Sequence, residues 1–156
     1  MMLVYRIASC QHINDLSGKG AALYGGRWNS KDIHMVYTAE SAALALLETV
    51  VHIGKIPERG YCMITIKIPS DKILRTKPDK LPADWHKNPA PDILKTFGDQ
   101  YIDEGKYVAM QVPSVIMPEG HNFLLNPAHA DFKKVKITAQ RTLTIDERLL
   151  HARGIQ

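Results

Sequence analysis

An α+β fold is predicted for this chain from three observations. Segments with strand character outnumber those with helix character, the two kinds do not alternate regularly, and one long apolar helical stretch stands among them. At 156 residues and 45% hydrophobic content, the chain can bury one proper core and is read as a single domain over residues 1–156. "LVYRIA" (3–8) alternates and is β-branched, a first strand with Tyr5 and Arg6 on opposite faces; "HMVYTA" (34–39) reads as a second. "AESAALALLETVVHI" (39–53) is the clearest helix, with Thr38 as N-cap, Glu40 in its first turn and Gly54 as terminator. "YCMITIKIP" (61–69) is a strand ended by Pro69, and Ser70 to Pro91, rich in Pro, Lys and Asp, reads as an irregular surface connection. "PDILKTFGDQYIDE" (91–104) reads as a helix opened by Pro91 and weakened by Gly98. "YVAMQVPSVI", "HNFLLNP" and "KVKITAQRTLTI" supply further strands, and "DERLLHA" a closing helical turn.

Composition narrows the function classes. The longest apolar run, Ala42 to Val51, is too short to cross a bilayer and is broken by Glu48 and Thr49, and the N-terminus lacks the features of a signal peptide. The expected location is the cytoplasm. Cys10 and Cys62 are far apart and form no CxxC pair, so buried free thiols are expected rather than a disulfide or metal site. Seven histidines follow no metal-binding spacing, although His121 and His129 flank a loop where they could meet. A net charge of +4 suits an anionic ligand or partner, but the basic residues are scattered and lack the interleaved aromatics of a single-strand binder.

Two features carry chemistry. In "LYGGRWNS" (23–30), Gly25 and Gly26 suggest a bend from which Arg27 projects at a fixed point, a planar fork of donors suited to phosphate. Trp28 reads as core or wall rather than chemistry. The second feature is Glu48, in the middle of a helix apolar nearly all the way round, which implies burial on most sides. A carboxylate there needs a partner. Either it forms an ordinary i, i+4 pair with His52, or it faces the glycine turn across a cleft in which Tyr24 or Tyr37 lies against a flat ring.

The stretch "GKGAALYGGRWNSKDIHMVYTAESAALALLETVVH" resembles the core of the RES-domain toxins, named for characteristic Arg, Glu and Ser positions, which fall here on Arg27, Glu48 and Ser114. "YRIA" and "NFLLNPAHADF" resemble the flanking segments of that family, so the likeness spans nearly the whole chain. Relatives often carry a glycine near Lys31 or Asp32. The resemblance implies a compact ADP-ribosyltransferase-like fold, a mixed β core flanked by helices. It also implies the toxin half of a toxin–antitoxin pair that acts on NAD+ as substrate, with no separate cofactor and no metal. The implied partner is an Xre-like antitoxin that covers the active site; direct nucleic-acid and membrane contacts are not implied, and the oligomeric state is open, a homodimer within the complex being one option.

The resemblance further implies roles. Nicotinamide leaves a pyridinium as a neutral molecule, so charge builds on the ribose and an oriented carboxylate stabilises it. Glu48 takes that role, and Arg27 grips the pyrophosphate or the nicotinamide end. Tyr24 and Tyr37 orient nicotinamide and ribose, and Ser114 donates to the nicotinamide amide or orients Glu48. Arg6 is a second phosphate contact and Asn126 a loop-locking residue at the nucleotide site. Water, inorganic phosphate or a protein side chain could each capture the ribosyl group. The competing readings are an RNase-type toxin or nucleic-acid-binding module, and a catalytically dead domain that sequesters a partner.

Overall fold

The computed structural model describes residues 1–155. Its centre is a seven-stranded sheet built from β1 (Met2–Ser9), β2 (Val36–Ala39), β3 (Tyr61–Ile68), β4 (Ile73–Arg75), β5 (Ala109–Pro113), β6 (His121–Leu125) and β7 (Lys136–Leu143), in the order β4-β5-β6-β2-β1-β3-β7. All neighbours are antiparallel except β4 and β5. Four helices accompany it: α1 (Lys19–Tyr24), α2 (Ala42–His52), α3 (Ile93–Glu104) and α4 (Glu147–Ala152). The mixed α+β expectation therefore holds, with a central sheet flanked by helices.

Strand alternation sorts the apolar side chains into two cores. Val4, Ile64, Ile66, Val36, Phe123 and Leu125 pack on one face. Met110, Val112 and Leu124 point to the other, where Trp28, Trp85, and Leu94 and Tyr101 of α3 cover them. On that second face, farther along the sheet, Leu44 and Ala45 of α2 pack against Tyr5, Ile7 and Ala39. The space between these two helical covers is where the site lies.

Several local expectations change. Thr38 is not a helix cap; it is the third residue of β2, and its buried hydroxyl donates to the Phe123 carbonyl at 2.7 Å. Ser41 caps α2 instead, its Oγ accepting from the Leu44 amide at 3.1 Å, so Glu40 precedes the helix and meets His121 Nδ1 at 3.0 Å. That helix is buried on one side only: Leu44, Ala45 and Val50 are buried while Val51 is exposed, so its uniform apolarity overstated its burial. The Ser70–Pro91 connection contains β4, three residues too short to show a period, and a 3-10 turn at Pro78–Lys80. The short helix α1 and a second 3-10 turn, Ala130–Lys134, were likewise not legible.

Cys10 and Cys62 form a disulfide rather than staying free thiols. Separation along the chain concealed their proximity: the β1–β3 ladder pairs Ala8 with Cys62, which brings Cys10, just past the end of β1, alongside. His121 and His129 do not meet, because one begins β6 and the other lies beyond its far end, where its ring accepts from the Asp131 amide. Among the described residues, no group of three His, Cys, Asp or Glu is placed to hold a metal ion, and no helix is long and apolar enough to cross a membrane.

Gly98 marks a close approach rather than a weak point in α3. A Cβ there would run into the carbonyl of Trp28, so the glycine is what lets the arginine-bearing turn seat against the helix. Gly98→Ala is expected to lower stability by about 2–3 kcal/mol, the cost of overpacking against backbone that cannot move away. Urea denaturation measures this; an unchanged midpoint would mean that the turn does not depend on the contact.

Candidate functional site

The glycine turn is built from α1 outward. Gly25, with φ 72°, ends the helix, its amide donating to the Ala21 carbonyl at 2.8 Å. The Gly26 amide donates to the Asn29 carbonyl at 2.9 Å, closing a two-residue turn with Arg27 and Trp28 at its tip. A Cβ on Gly26 would lie 2.7 Å from the Tyr37 hydroxyl, so this glycine clears the way for the tyrosine. The Tyr37 hydroxyl donates to Asn29 Oδ1 at 2.7 Å and accepts from the Trp28 amide at 3.1 Å. Asn29 is wholly buried and its amide nitrogen donates to the carbonyls of Ala21, Ser30 and Ile33. One asparagine and one tyrosine thus fix the turn. Burial raises the Tyr37 pKa well above its usual value, so the ring stays neutral.

With Trp28 only 3% exposed and anchored in the core, Arg27 is aimed from a rigid base. Its Nη1 donates to the carbonyls of Trp85 at 3.1 Å and Lys87 at 2.9 Å, which straps the 85–87 loop to the turn. Nε and Nη2 make no hydrogen bond among the described residues. Desolvation lowers the Arg27 pKa, and the charges of Glu48 and Tyr37 oppose it.

Glu48 follows Leu44 and Ala45 by four and three positions, which turns it toward the sheet on the packed face of α2. Its Oε1 accepts two short hydrogen bonds, from Ser114 Oγ at 2.8 Å and from Asn122 Nδ2 at 2.6 Å. Oε2 accepts none among the described residues. The pairing with His52 is not formed. Ser114, wholly buried just past β5, receives the amides of Ile116 and Met117 at 3.2 Å each, which leaves its proton committed to Glu48. Ser114 therefore orients the carboxylate and has no proton left for a nicotinamide amide. Behind Glu48, Arg153 donates to the carbonyls of Val50, Val51 and Ile53 and closes the C-terminus of α2.

A cavity of about 340 Å³ opens over this carboxylate, lined among others by Tyr5, Tyr37, Ala39, Glu48, Tyr61 and Asn122. Of the expected ligand-binding residues, Arg27, Ser114, Tyr24 and Asn126 are not among those that line it; Ser114 reaches it through Glu48, and Tyr24 and Asn126 lie elsewhere. Tyr24 is 81% exposed at the end of α1, and the bend at Gly25 parts it from Arg27. Asn126 lies past the end of β6 opposite Asn122, its amide buried against the Ile102 carbonyl and the Ala128 amide, where it locks a loop away from the cavity. Arg6 borders the cavity, but its position in β1 matches Val4, so its side chain leaves on the opposite face and donates to the carbonyls of Ile13 at 2.9 Å and Asp15 at 2.8 Å. Desolvation lowers its pKa there, with Asp15 opposing.

Asn122 is the residue that sequence reasoning missed. The only signal was a polar position on the inward face of "HNFLL", beside a strand whose other inward residue, Leu124, is fully buried. Ser114→Ala tests the scaffold around the carboxylate. It strands the part-buried amides of Ile116 and Met117 and removes one donor from Glu48, so stability should fall by about 1–2 kcal/mol, with turnover down roughly tenfold. Thermal unfolding beside activity checks this; full turnover in the variant would remove Ser114 from the positioning of Glu48.

The RES domain model matches residues 3–146. The "Prs ADP-ribosylating toxin" of Sphingobium sp. (strain YBL2) is 40% identical over 142 residues, 88% of each chain. A "Toxin Res" of Photorhabdus laumondii is 34% identical over 155 residues, 97% of this chain and 99% of that one. A chain in the crystal structure of the M. tuberculosis MbcT–MbcA toxin–antitoxin complex shares the fold, with a TM-score of 0.75 over 98% of this chain and 89% of that chain, at 19% identity.

Proposed function

The chain belongs to the RES-domain family, and from that premise we propose that it is the toxin of a toxin–antitoxin pair, an enzyme of ADP-ribosyltransferase-like fold that cleaves the nicotinamide–ribose bond of NAD+. The observation that carries the reading is the state of Glu48: one carboxylate oxygen is pinned by Ser114 and Asn122, and the other is unengaged at a cavity. A carboxylate held this way cannot swing as charge develops, so it meets an oxocarbenium-like ribose without reorganisation. Oε2 accepts from a ribose hydroxyl as the glycosidic bond lengthens. The unengaged Nε and Nη2 of Arg27 hold the pyrophosphate, and the neutral ring of Tyr37 flanks the nicotinamide. Ser114 acts through Glu48. Arg6, Tyr24 and Asn126 receive no substrate contact in this reading.

A second reading, transfer of ADP-ribose to a protein, is favoured by one observation, the 40% identical relative named as an ADP-ribosylating toxin. The two share the bond that breaks and differ in what captures the ribosyl group. Incubation with NAD+, with and without inorganic phosphate and cell extract, followed by mass spectrometry, separates them: free ADP-ribose or its 1″-phosphate supports depletion, and a protein carrying the ADP-ribose mass supports transfer. In cells, expression without a partner is expected to arrest growth with falling NAD+, and a co-expressed Xre-like antitoxin covering the cavity to reverse it. Arrest with unchanged NAD+ would contradict depletion.

A further inference from the structure

Asn122 has a second polar atom besides the Nδ2 that donates to Glu48. Its Oδ1 is buried and, among the described residues, is the side-chain atom left with no hydrogen-bond partner. Buried acceptors without partners are rare and need a reason. The amide cannot reverse to relieve it, since that would set a carbonyl oxygen against Glu48 Oε1, two acceptors face to face at a distance where Nδ2 now donates. Asn122 also stands on rigid backbone, paired with Ala39 of β2 on one side and Val112 of β5 on the other, and it lines the same cavity as Glu48. The protein thus keeps an acceptor in a fixed orientation beside its key carboxylate.

We propose that Asn122 is a specificity residue that accepts a hydrogen bond from substrate, so that Asn122 Oδ1 and Glu48 Oε2 together read the two adjacent hydroxyls of the nicotinamide ribose. This rests on the NAD+-cleaving reading of the same cavity. Both atoms are acceptors, and only a group presenting two neighbouring donors satisfies both. A vicinal diol does so. Phosphate offers acceptors alone and belongs at Arg27. The arrangement makes one side chain serve two tasks: its donor end orients Glu48, and its acceptor end selects an intact ribose.

The test is a cycle between protein and substrate. Release of the pyridine base, as kcat/KM, is measured for NAD+, for analogues lacking the 2′- or the 3′-hydroxyl of the nicotinamide ribose, and for the 3-acetylpyridine analogue, with wild type, Asn122→Ala and Asn122→Ser. A variant that consumes nothing is titrated with the same compounds by calorimetry, and circular dichroism checks folding. Deleting one of the two hydroxyls should cost wild type about tenfold beyond the loss it causes in Asn122→Ala, the worth of one hydrogen bond. Intrinsic reactivity of the analogues cancels in that comparison. Equal losses in wild type and variants, or a wild type indifferent to either hydroxyl, would overturn the assignment. So would an Asn122-dependent loss confined to the acetylpyridine analogue, which lacks the carboxamide donor. A wild type that releases no nicotinamide from NAD+ defeats the underlying reading instead, a result distinct from these.

Discussion

Glu48→Gln is expected to reduce nicotinamide release by roughly two to three orders of magnitude, the ~3–4 kcal/mol of a preorganised electrostatic contact, while NAD+ affinity changes little. Glutamine keeps the shape, and its carbonyl can still accept from Ser114 Oγ and Asn122 Nδ2, the two donors that hold Oε1. What disappears is the negative charge, and the ground-state substrate calls on that charge far less than a cationic ribose does. Calorimetric NAD+ binding beside single-turnover nicotinamide release separates the two effects. A folded variant with near wild-type turnover would remove Glu48 from the chemistry and leave it as a structural anchor for Ser114 and Asn122.

Arg27→Lys should fail differently. Nη1 of the guanidinium straps the 85–87 loop through two carbonyls, and in the proposed reading Nε and Nη2 grip an anion. A lysine has one nitrogen and cannot do both in fixed orientation. Losing charge-assisted bonds to pyrophosphate, about 1.5–3 kcal/mol, should weaken NAD+ binding by 10- to 100-fold, with a further loss in rate as the glycosidic bond is misplaced. The same titration reads the affinity, and limited proteolysis reads the loosened loop. Wild-type affinity in the lysine variant would show that the phosphates are held elsewhere and that Arg27 serves only as the strap.

What the sequence made legible follows from how far each signal reaches. The α2 helix and the longer strands are local patterns, and their alternation or apolar density survives in the fold. Arg27 stood out because a Gly-Gly pair precedes it, and Glu48 because a carboxylate interrupts an apolar helix; both cues are local. The missed features depend on contacts between distant segments. The Cys10–Cys62 pairing exists through the β1–β3 ladder, and β4 through its parallel pairing with β5. Asn122 meets Glu48 across 74 positions, with no motif to announce it. Arg6 shows the opposite error: a cation near the site in sequence is turned by strand alternation to the other face, where loop carbonyls occupy it. Tyr24 misled through its closeness to Arg27, which the bend at Gly25 undoes.

Cleavage of one bond of NAD+ beside Glu48 is tested most directly by the identity of the products. Purified protein is incubated with NAD+, phosphate and cell extract, and the small molecules are resolved by chromatography and mass spectrometry. Free nicotinamide is expected, released in molar excess over enzyme and slowed by roughly two to three orders of magnitude in Glu48→Gln. Nicotinamide mononucleotide with AMP, which marks cleavage at the pyrophosphate, or intact NAD+ from a folded protein, would contradict it.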